Sequence, residues 1–187
     1  MSQRDVTRVS LREQVRARAD GVELLLFRVG GDLFATDLLA IEEALELGDV
    51  HPVPGAPPAM LGVLGLRGRL LPVYSPEAAL RQPPRGDRRA AYALVLSAFG
   101  GQEASRPVAV AVDDVEDVHR VDLRDVQDPG AARAVESAEA GAGAVEHDAV
   151  LGVVRWNGEI VALVDPEALA AACAAAGEGQ TPGEETA

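Results

Sequence analysis

The 187-residue chain contains no lysine, a single cysteine and only six aromatic residues. All seventeen basic residues are arginine, which excludes a Schiff-base lysine, a pyridoxal-phosphate anchor and the lysine of a Walker A loop. A lone cysteine, Cys173, cannot form an internal disulfide and fits a reducing compartment. Six aromatic residues are too few to build stacking platforms for nucleic acid or sugar.

The charge balance is strongly acidic, with a formal net charge of −13 and a pI near 4.6. Such a chain repels phosphate backbones, so the composition disfavours nucleic-acid binding. No run approaches the ~18 apolar residues of a membrane-spanning helix. The arginine-rich start also lacks the apolar core of a secretory signal. We therefore expect a cytoplasmic protein.

Residues that could carry catalysis or hold a metal are scattered. The histidines His51, His119 and His147 show no ligand spacing, and no G-x-S-x-G nucleophile motif occurs. The acidic run "VDDVEDV" could suggest a Mg²⁺ site, but its alternation of valine and acid predicts a strand with one solvent-exposed face. We expect no enzymatic activity, no cofactor and no metal site.

The organisation of the chain is mostly β. Residues 1–20 form a polar, arginine-rich extension that is either an amphipathic helix or disordered, and the acidic tail 177–187 is predicted to be disordered. Hairpins are predicted at Gly-Gly-Asp in "FRVGGDLF" and at Asn-Gly in "VRWNGEIV". Short helical pieces are expected at Asp37–Leu47 and after Ala59. A C-terminal helix is expected to begin at Asp165-Pro166-Glu167 and to reach Gly177.

An internal repeat relates two parts of the chain. A shift of 90 residues places "LGVLGLRGRLLPVYSPEAAL" on "LGVVRWNGEIVALVDPEALA", so that Arg67-Gly68 matches Asn157-Gly158 and Ser75 matches Asp165. Arg67-Gly68 and Asn157-Gly158 each predict a hairpin turn, and Ser75 and Asp165 each predict the N-cap of a helix that follows. A weaker match, at a shift of 74, places "IEEA" on "VEDV". These matches predict two similar β-rich halves, about 21–85 and 88–170, packed on each other.

Arg67 is an unusual residue for the tip of an otherwise apolar hairpin. Its guanidinium requires a carboxylate partner, which is either Glu43 within the same fold or an acidic group on another protein. Both possibilities remain open from the sequence. With catalytic chemistry absent, the hairpin points to protein recognition.

The segment "VHPVPGAPPAMLGVLGLRGRLLPVYS" resembles the signature region of CheW-like domains, in which V-P-x-A-P leads to G-V-x-N-L-R-G-x-I-I-P-V-x-D-L. The resemblance extends through "FRVGGDLFATDLLAIEEAL", "VAVAVDDVEDVHRV" and "GEIVALVDPEALA", and so covers nearly all of residues 21–172. Two positions depart from the pattern: Gly65 replaces the usual Asn, and Ser75 replaces the usual Asp.

The resemblance implies a mainly β fold of two packed, SH3-like five-stranded barrels with short helices and a C-terminal helix. It also implies a non-catalytic adaptor that couples methyl-accepting chemoreceptors to a CheA-type histidine kinase, and that is recruited from the cytoplasm to membrane-associated receptor arrays. The implied partners are the kinase's regulatory domain and the cytoplasmic tip of the receptors. The partner-binding residues implied are Arg67, Glu43, Ile41, Gly62, Leu66 and Gly68.

Two alternatives remain open at this stage. The first is a divergent homologue of a motility or developmental pathway that binds only one of these partners, as the replacements Gly65 and Ser75 would allow. The second is a small hydrolase or carrier whose site the sequence does not reveal.

Overall fold

The computed structural model describes residues 21–97, 107–127 and 149–175. These residues form ten strands, two 3-10 helices and one α-helix, so the predicted mainly β fold is confirmed. The strands are β1 (Val22–Val29), β2 (Asp32–Asp37), β3 (Ile41–Glu46), β4 (Met60–Leu66), β5 (Arg69–Tyr74), β6 (Tyr92–Leu96), β7 (Val108–Val112), β8 (Asp114–Val121), β9 (Val150–Trp156) and β10 (Glu159–Val164). The 3-10 helices are Leu38–Ala40 and Leu123–Asp125, and the α-helix is α1 (Pro166–Ala175).

The strands form two five-stranded sheets. The first sheet has the order β8-β1-β2-β10-β9, and the second has the order β3-β6-β7-β5-β4. Neighbours are antiparallel except for one parallel pair in each sheet, β2 with β10 and β5 with β7. The two sheets therefore have the same pattern of pairing, as the internal repeat predicts.

The sheets correct the predicted division into halves 21–85 and 88–170. Strands β1 and β2 belong to the sheet of β8, β9 and β10, whereas β6 and β7 belong to the sheet of β3, β4 and β5. Each sheet thus takes one hairpin from the other half of the sequence. The repeat identifies which segments are alike, but it does not determine which copy of a hairpin pairs with which neighbours.

Apolar side chains are buried in three clusters. One lies within each sheet, around Leu24 and Leu26 in the first and around Val73 and Ala109 in the second. The third draws residues from both sheets and from α1, and it includes Phe27, Leu94 and Leu169. This shared cluster holds the two sheets together, because burial of its side chains is lost if the sheets separate.

Two of the predicted helical segments are wrong. Only Leu38–Ala40 is a 3-10 helix within the segment Asp37–Leu47, and β3 follows it; the segment after Ala59 is β4. In β3 half-buried and exposed residues alternate strictly, as expected for a strand that packs one face. Pairing with β6 outweighs the helix propensity of its Glu, Ala and Leu residues.

The C-terminal helix begins where it was predicted. The Asp165 carboxylate accepts hydrogen bonds from the backbone N–H groups of Glu167 and Ala168, at 2.9 and 3.1 Å. Its predicted end at Gly177, the 1–20 extension and the 177–187 tail lie outside the described residues. At the matching position the Ser75 hydroxyl donates to the Glu77 carboxylate, and turns follow instead of an α-helix.

Candidate protein-interaction surface

The β4–β5 hairpin presents its turn to solvent. Arg67 and Gly68 occupy the two turn positions with φ of 48° and 77°, and Leu66 pairs with Arg69 across the turn. Two positive φ angles are typical of the type I′ turn that the right-handed twist of a hairpin favours. Glycine adopts this conformation freely, whereas an arginine there is strained.

Ion pairs connect this turn to the edge strand β3, which does not pair with β4 or β5 in the sheet. Arg67 Nη2 lies 3.0 Å from Glu43 Oε1, and Arg69 Nη2 lies 3.4 Å from Glu42 Oε2. The Arg67 side chain remains 76% exposed, against 29% for Glu43. The intramolecular pair that the sequence left open is therefore present. An ion pair this exposed contributes only about 0–1 kcal/mol, and most of the guanidinium stays accessible.

The other candidate residues occupy different environments. Gly68 is exposed in the turn and Leu66 is half-buried beside it. Ile41 lies at the start of β3 and packs against the cluster shared by the sheets. The structure therefore groups Leu66, Arg67 and Gly68 with Glu43, whereas Ile41 packs against the shared cluster and pairs with Leu96 of β6.

Gly62 has a backbone role that the sequence did not reveal. Its φ is 147°, and a Cβ at this position would collide with the carbonyl oxygen of His51. His51 and Val63 exchange two backbone hydrogen bonds of 2.9 Å, which attach the chain before β4 to that strand. Gly152 holds the equivalent place beside Gln127, which pairs with Val153. A glycine is thus needed here for close approach of two backbones.

Leu70 was missed as a candidate and is the most exposed large apolar residue, at 74%, among those of the described chain. It follows Arg69 on β5, next to the turn. The hairpin register could have revealed it, because a two-residue turn at Arg67-Gly68 places Leu70 opposite Gly65, which has no side chain to cover it.

The β9–β10 hairpin has the same form as the β4–β5 hairpin, but it lacks arginine at the positions of that hairpin's two arginines. Asn157 and Gly158 have φ of 49° and 86°, and Ile160, the counterpart of Leu70, is 49% exposed. Glu159 stands where the other hairpin has Arg69. Arg28 of β1 bridges Glu116 and Glu159 at 2.5 and 2.8 Å, and hydrogen bonds to these two carboxylates raise its pKa.

The described residues contain no group of three or more His, Cys, Asp or Glu side chains that could hold a metal. Cys173 is fully buried, and desolvation by burial, with the Glu77 charge as a smaller cause, raises the pKa of its thiol to about 12. A thiol in this state is a packing residue rather than a nucleophile. No helix of the described chain is long and apolar enough to span a membrane. His147 lies outside the described residues.

Residues 23–174 match the model of the CheW-like domain. The chain belongs to the CheW-like family. The match covers both sheets and α1, so the CheW-like domain is the whole described fold and the surface on the β4–β5 hairpin is part of it.

Named relatives support the assignment to the CheW-like family. The chain is 36% identical over 107 residues to the chemotaxis protein CheW of Rhizobium meliloti, covering 57% of this chain and 66% of that protein. It is 27% identical over 114 residues to CheW of Treponema pallidum, covering 57% and 62%. The chain thus spans slightly less than two thirds of these relatives. Protein FrzA of Myxococcus xanthus is 31% identical over 136 residues, covering 73% and 76%.

A solved structure supports the same fold. The scaffolding protein TtCheW of Thermoanaerobacter tengcongensis superposes with a TM-score of 0.61 at 16% identity, covering 78% of this chain and 89% of that one. The CheW fold predicted from the sequence is confirmed.

Proposed function

We propose that this CheW-like protein is a non-catalytic adaptor that couples chemoreceptors to a CheA-type histidine kinase. The observation that carries the proposal is the β4–β5 hairpin of a CheW-like domain, which exposes Arg67 in its turn and Leu70 near the start of β5. Arginine is enriched at protein interfaces, and an exposed leucine on the same hairpin adds apolar area that a partner can bury.

The partner-binding residues in this proposal have distinct roles. Arg67, held by Glu43, offers its guanidinium to an acidic group of the partner, and Leu66 borders it with apolar surface. Gly68 and Gly62 maintain the backbone that presents them, and Ile41 holds β3 against the shared cluster. The partners are the regulatory domain of the kinase and the cytoplasmic tip of the receptors. Binding to the receptors recruits the adaptor to the membrane-associated array, and the adaptor itself does not insert into the membrane.

Titrations with each partner test this proposal. We expect Arg67→Ala to weaken binding of the kinase's regulatory domain by about 10- to 150-fold, since a charge-assisted contact of ~1.5–3 kcal/mol is lost. Arg124, whose side chain is 88% exposed and which lies in the other sheet's connection, provides the matched control Arg124→Ala. Equal affinities of the two variants for both partners would overturn the proposed role of Arg67.

A second candidate is an adaptor that binds only one partner, as part of another motility pathway. It is favoured by the replacements Gly65 and Ser75, which lie on either side of the turn at Arg67-Gly68. Titrating receptor tips and kinase domain separately distinguishes the two, because a single-partner adaptor binds one and not the other.

A further inference from the structure

The chain crosses between the sheets twice, and the two crossovers are built differently. From β2 to β3 it passes through Leu38–Ala40, where the Asp37 carboxylate accepts the Leu39 N–H at 2.9 Å and Leu39 is 63% exposed. From β7 to β8 it passes through one residue, Asp113. In the first crossover the side-chain contact of Asp37 is local, to the 3-10 helix that follows it. In the second, Asp113 forms ion pairs with Arg85 and Arg88.

Asp113 joins segments of both sheets. Its carboxylate accepts the Gly30 N–H of the β1–β2 turn at 2.7 Å, and its own N–H donates to the Arg28 carbonyl at 2.8 Å. Both of these partners belong to the first sheet. The same carboxylate pairs with Arg85, which lies in the β5–β6 connection of the second sheet.

Arg85 is largely buried, with a side chain only 10% exposed. Its Nη2 lies 2.6 Å from Glu77 Oε1 and donates to the Ala111 carbonyl at 3.1 Å. Glu77 is also buried, at 5%, and accepts the Ser75 hydroxyl. Arg85 therefore links the end of β7, the β5–β6 connection and, through Asp113, the turn of the other sheet.

The hydrogen bonding of this cluster is incomplete. Within the described residues, Arg85 Nε and Glu77 Oε1 are buried without an aligned hydrogen-bond partner, even though the latter lies in ion-pair contact with Arg85. Buried ion pairs of this kind are often no more stabilising than apolar side chains of similar volume. A gain in stability therefore explains this cluster poorly. Its members join segments of both sheets, so a role in fixing the relative positions of those segments explains it better.

We propose that Arg85, through Asp113 and Glu77, is a positioning residue that fixes the orientation of the two sheets. A partner that contacts the Arg67 hairpin of the second sheet and a partner that contacts the first sheet are then held in a constant relation. That consequence for binding rests on the proposed function, but the orientation itself does not.

Distances between spin labels test the proposal without any partner. Labels on Leu70→Cys and Ile160→Cys report on one exposed position in each sheet, and Cys173 stays in place because it is fully buried. We expect Arg85→Met combined with Glu77→Leu to broaden the distance distribution at least about twofold while the circular dichroism spectrum stays native. Asp113→Asn, which keeps an acceptor for Gly30 but removes the charge that faces Arg85, is expected to act in the same direction.

Arg88→Met is the matched control, since Arg88 is 50% exposed and its Nη1 lies 3.7 Å from Asp113, at the edge of the same cluster. It is expected to keep the native width. If either cluster variant folds and keeps the native distribution, the proposal is overturned. Equal broadening by the control also overturns it, because the effect would then not depend on Arg85. If the double variant does not fold, Asp113→Asn decides.

Discussion

Gly65 lies directly opposite Leu70 on the β4–β5 hairpin, and Leu70 is 74% exposed. The position before L-R-G is one at which this chain departs from the pattern of CheW-like domains. The glycine removes a neighbour that would cover Leu70. The departure thus exposes apolar surface at the proposed binding site instead of removing the site.

Leu70→Ser tests whether this surface is an anchor. We expect binding of the kinase's regulatory domain to weaken by at least about tenfold, because burying a leucine side chain in an interface contributes ~1.5–3 kcal/mol. The free energy of unfolding should change by no more than ~0.5 kcal/mol, since the side chain is already exposed. Calorimetric titration and chemical denaturation measure both. Ile160→Ser at the matching position of the other hairpin is the control, and an equal loss of affinity there would contradict a specific role for Leu70.

Arg67→Gly separates folding from binding. Arg67 has a φ of 48°, so glycine should relieve strain and stabilise the protein by up to about 1 kcal/mol, less the small contribution of the exposed pair with Glu43. Affinity for the partner should fall at the same time, because the guanidinium is lost. Thermal unfolding and titration of one protein preparation give both values. Stability and affinity falling together would indicate that Arg67 acts only through the fold.

Gly68→Val tests the turn conformation alone. A Cβ on Gly68 would meet no atom within 4 Å, so only the φ of 77° opposes a side chain. A β-branched residue at positive φ should cost about 1–3 kcal/mol of unfolding free energy. Gly65→Ala, where a Cβ also has open space and φ is not in the left-handed region, should change stability by less than ~0.5 kcal/mol. An unchanged melting curve for Gly68→Val would contradict the left-handed conformation of Gly68 in the turn.

Cys173 should be unreactive in the native protein. Burial raises the pKa of the Cys173 thiol from an ordinary 9.0 to about 12, so almost no thiolate exists at pH 8. We therefore expect Ellman's reagent to react with Cys173 more slowly than with a free thiol, by a factor of roughly one hundred or more. The folded thiol keeps its proton at pH values where the unfolded thiol ionises. The free energy of unfolding should therefore decrease as the pH rises from about 9 to about 12. Labelling at the rate of denatured protein would contradict the burial.

Local signals in the sequence predicted much of this fold. Asn157-Gly158 and Arg67-Gly68 form the expected turns, and Asp165 caps the expected helix. These features depend on residues close in the chain, whose conformational preferences are read directly from the sequence. The pairing of β1 and β2 with β8 and β10 could not be derived in this way, since a repeat leaves the choice between equivalent partners open.

The candidate surface was predicted in part. The Glu43–Arg67 pair was one of the two possibilities that the charges left open, and the structure has it at 3.0 Å. The cluster of Arg85 with Glu77 and Asp113 had no signal in the sequence, because its members lie in connections whose path only tertiary packing defines. Leu70 could have been found from the hairpin register alone.

Co-sedimentation tests the central claim most directly. Membranes carrying the receptors are mixed with the kinase, with and without the purified 187-residue chain, and the pelleted kinase is measured. The account predicts that the kinase pellets with the receptors only when the protein is present, and that Arg67→Ala reduces this fraction whereas Arg124→Ala does not. Binding of the protein to neither membranes nor kinase would leave the CheW-like fold in place and contradict the proposed function.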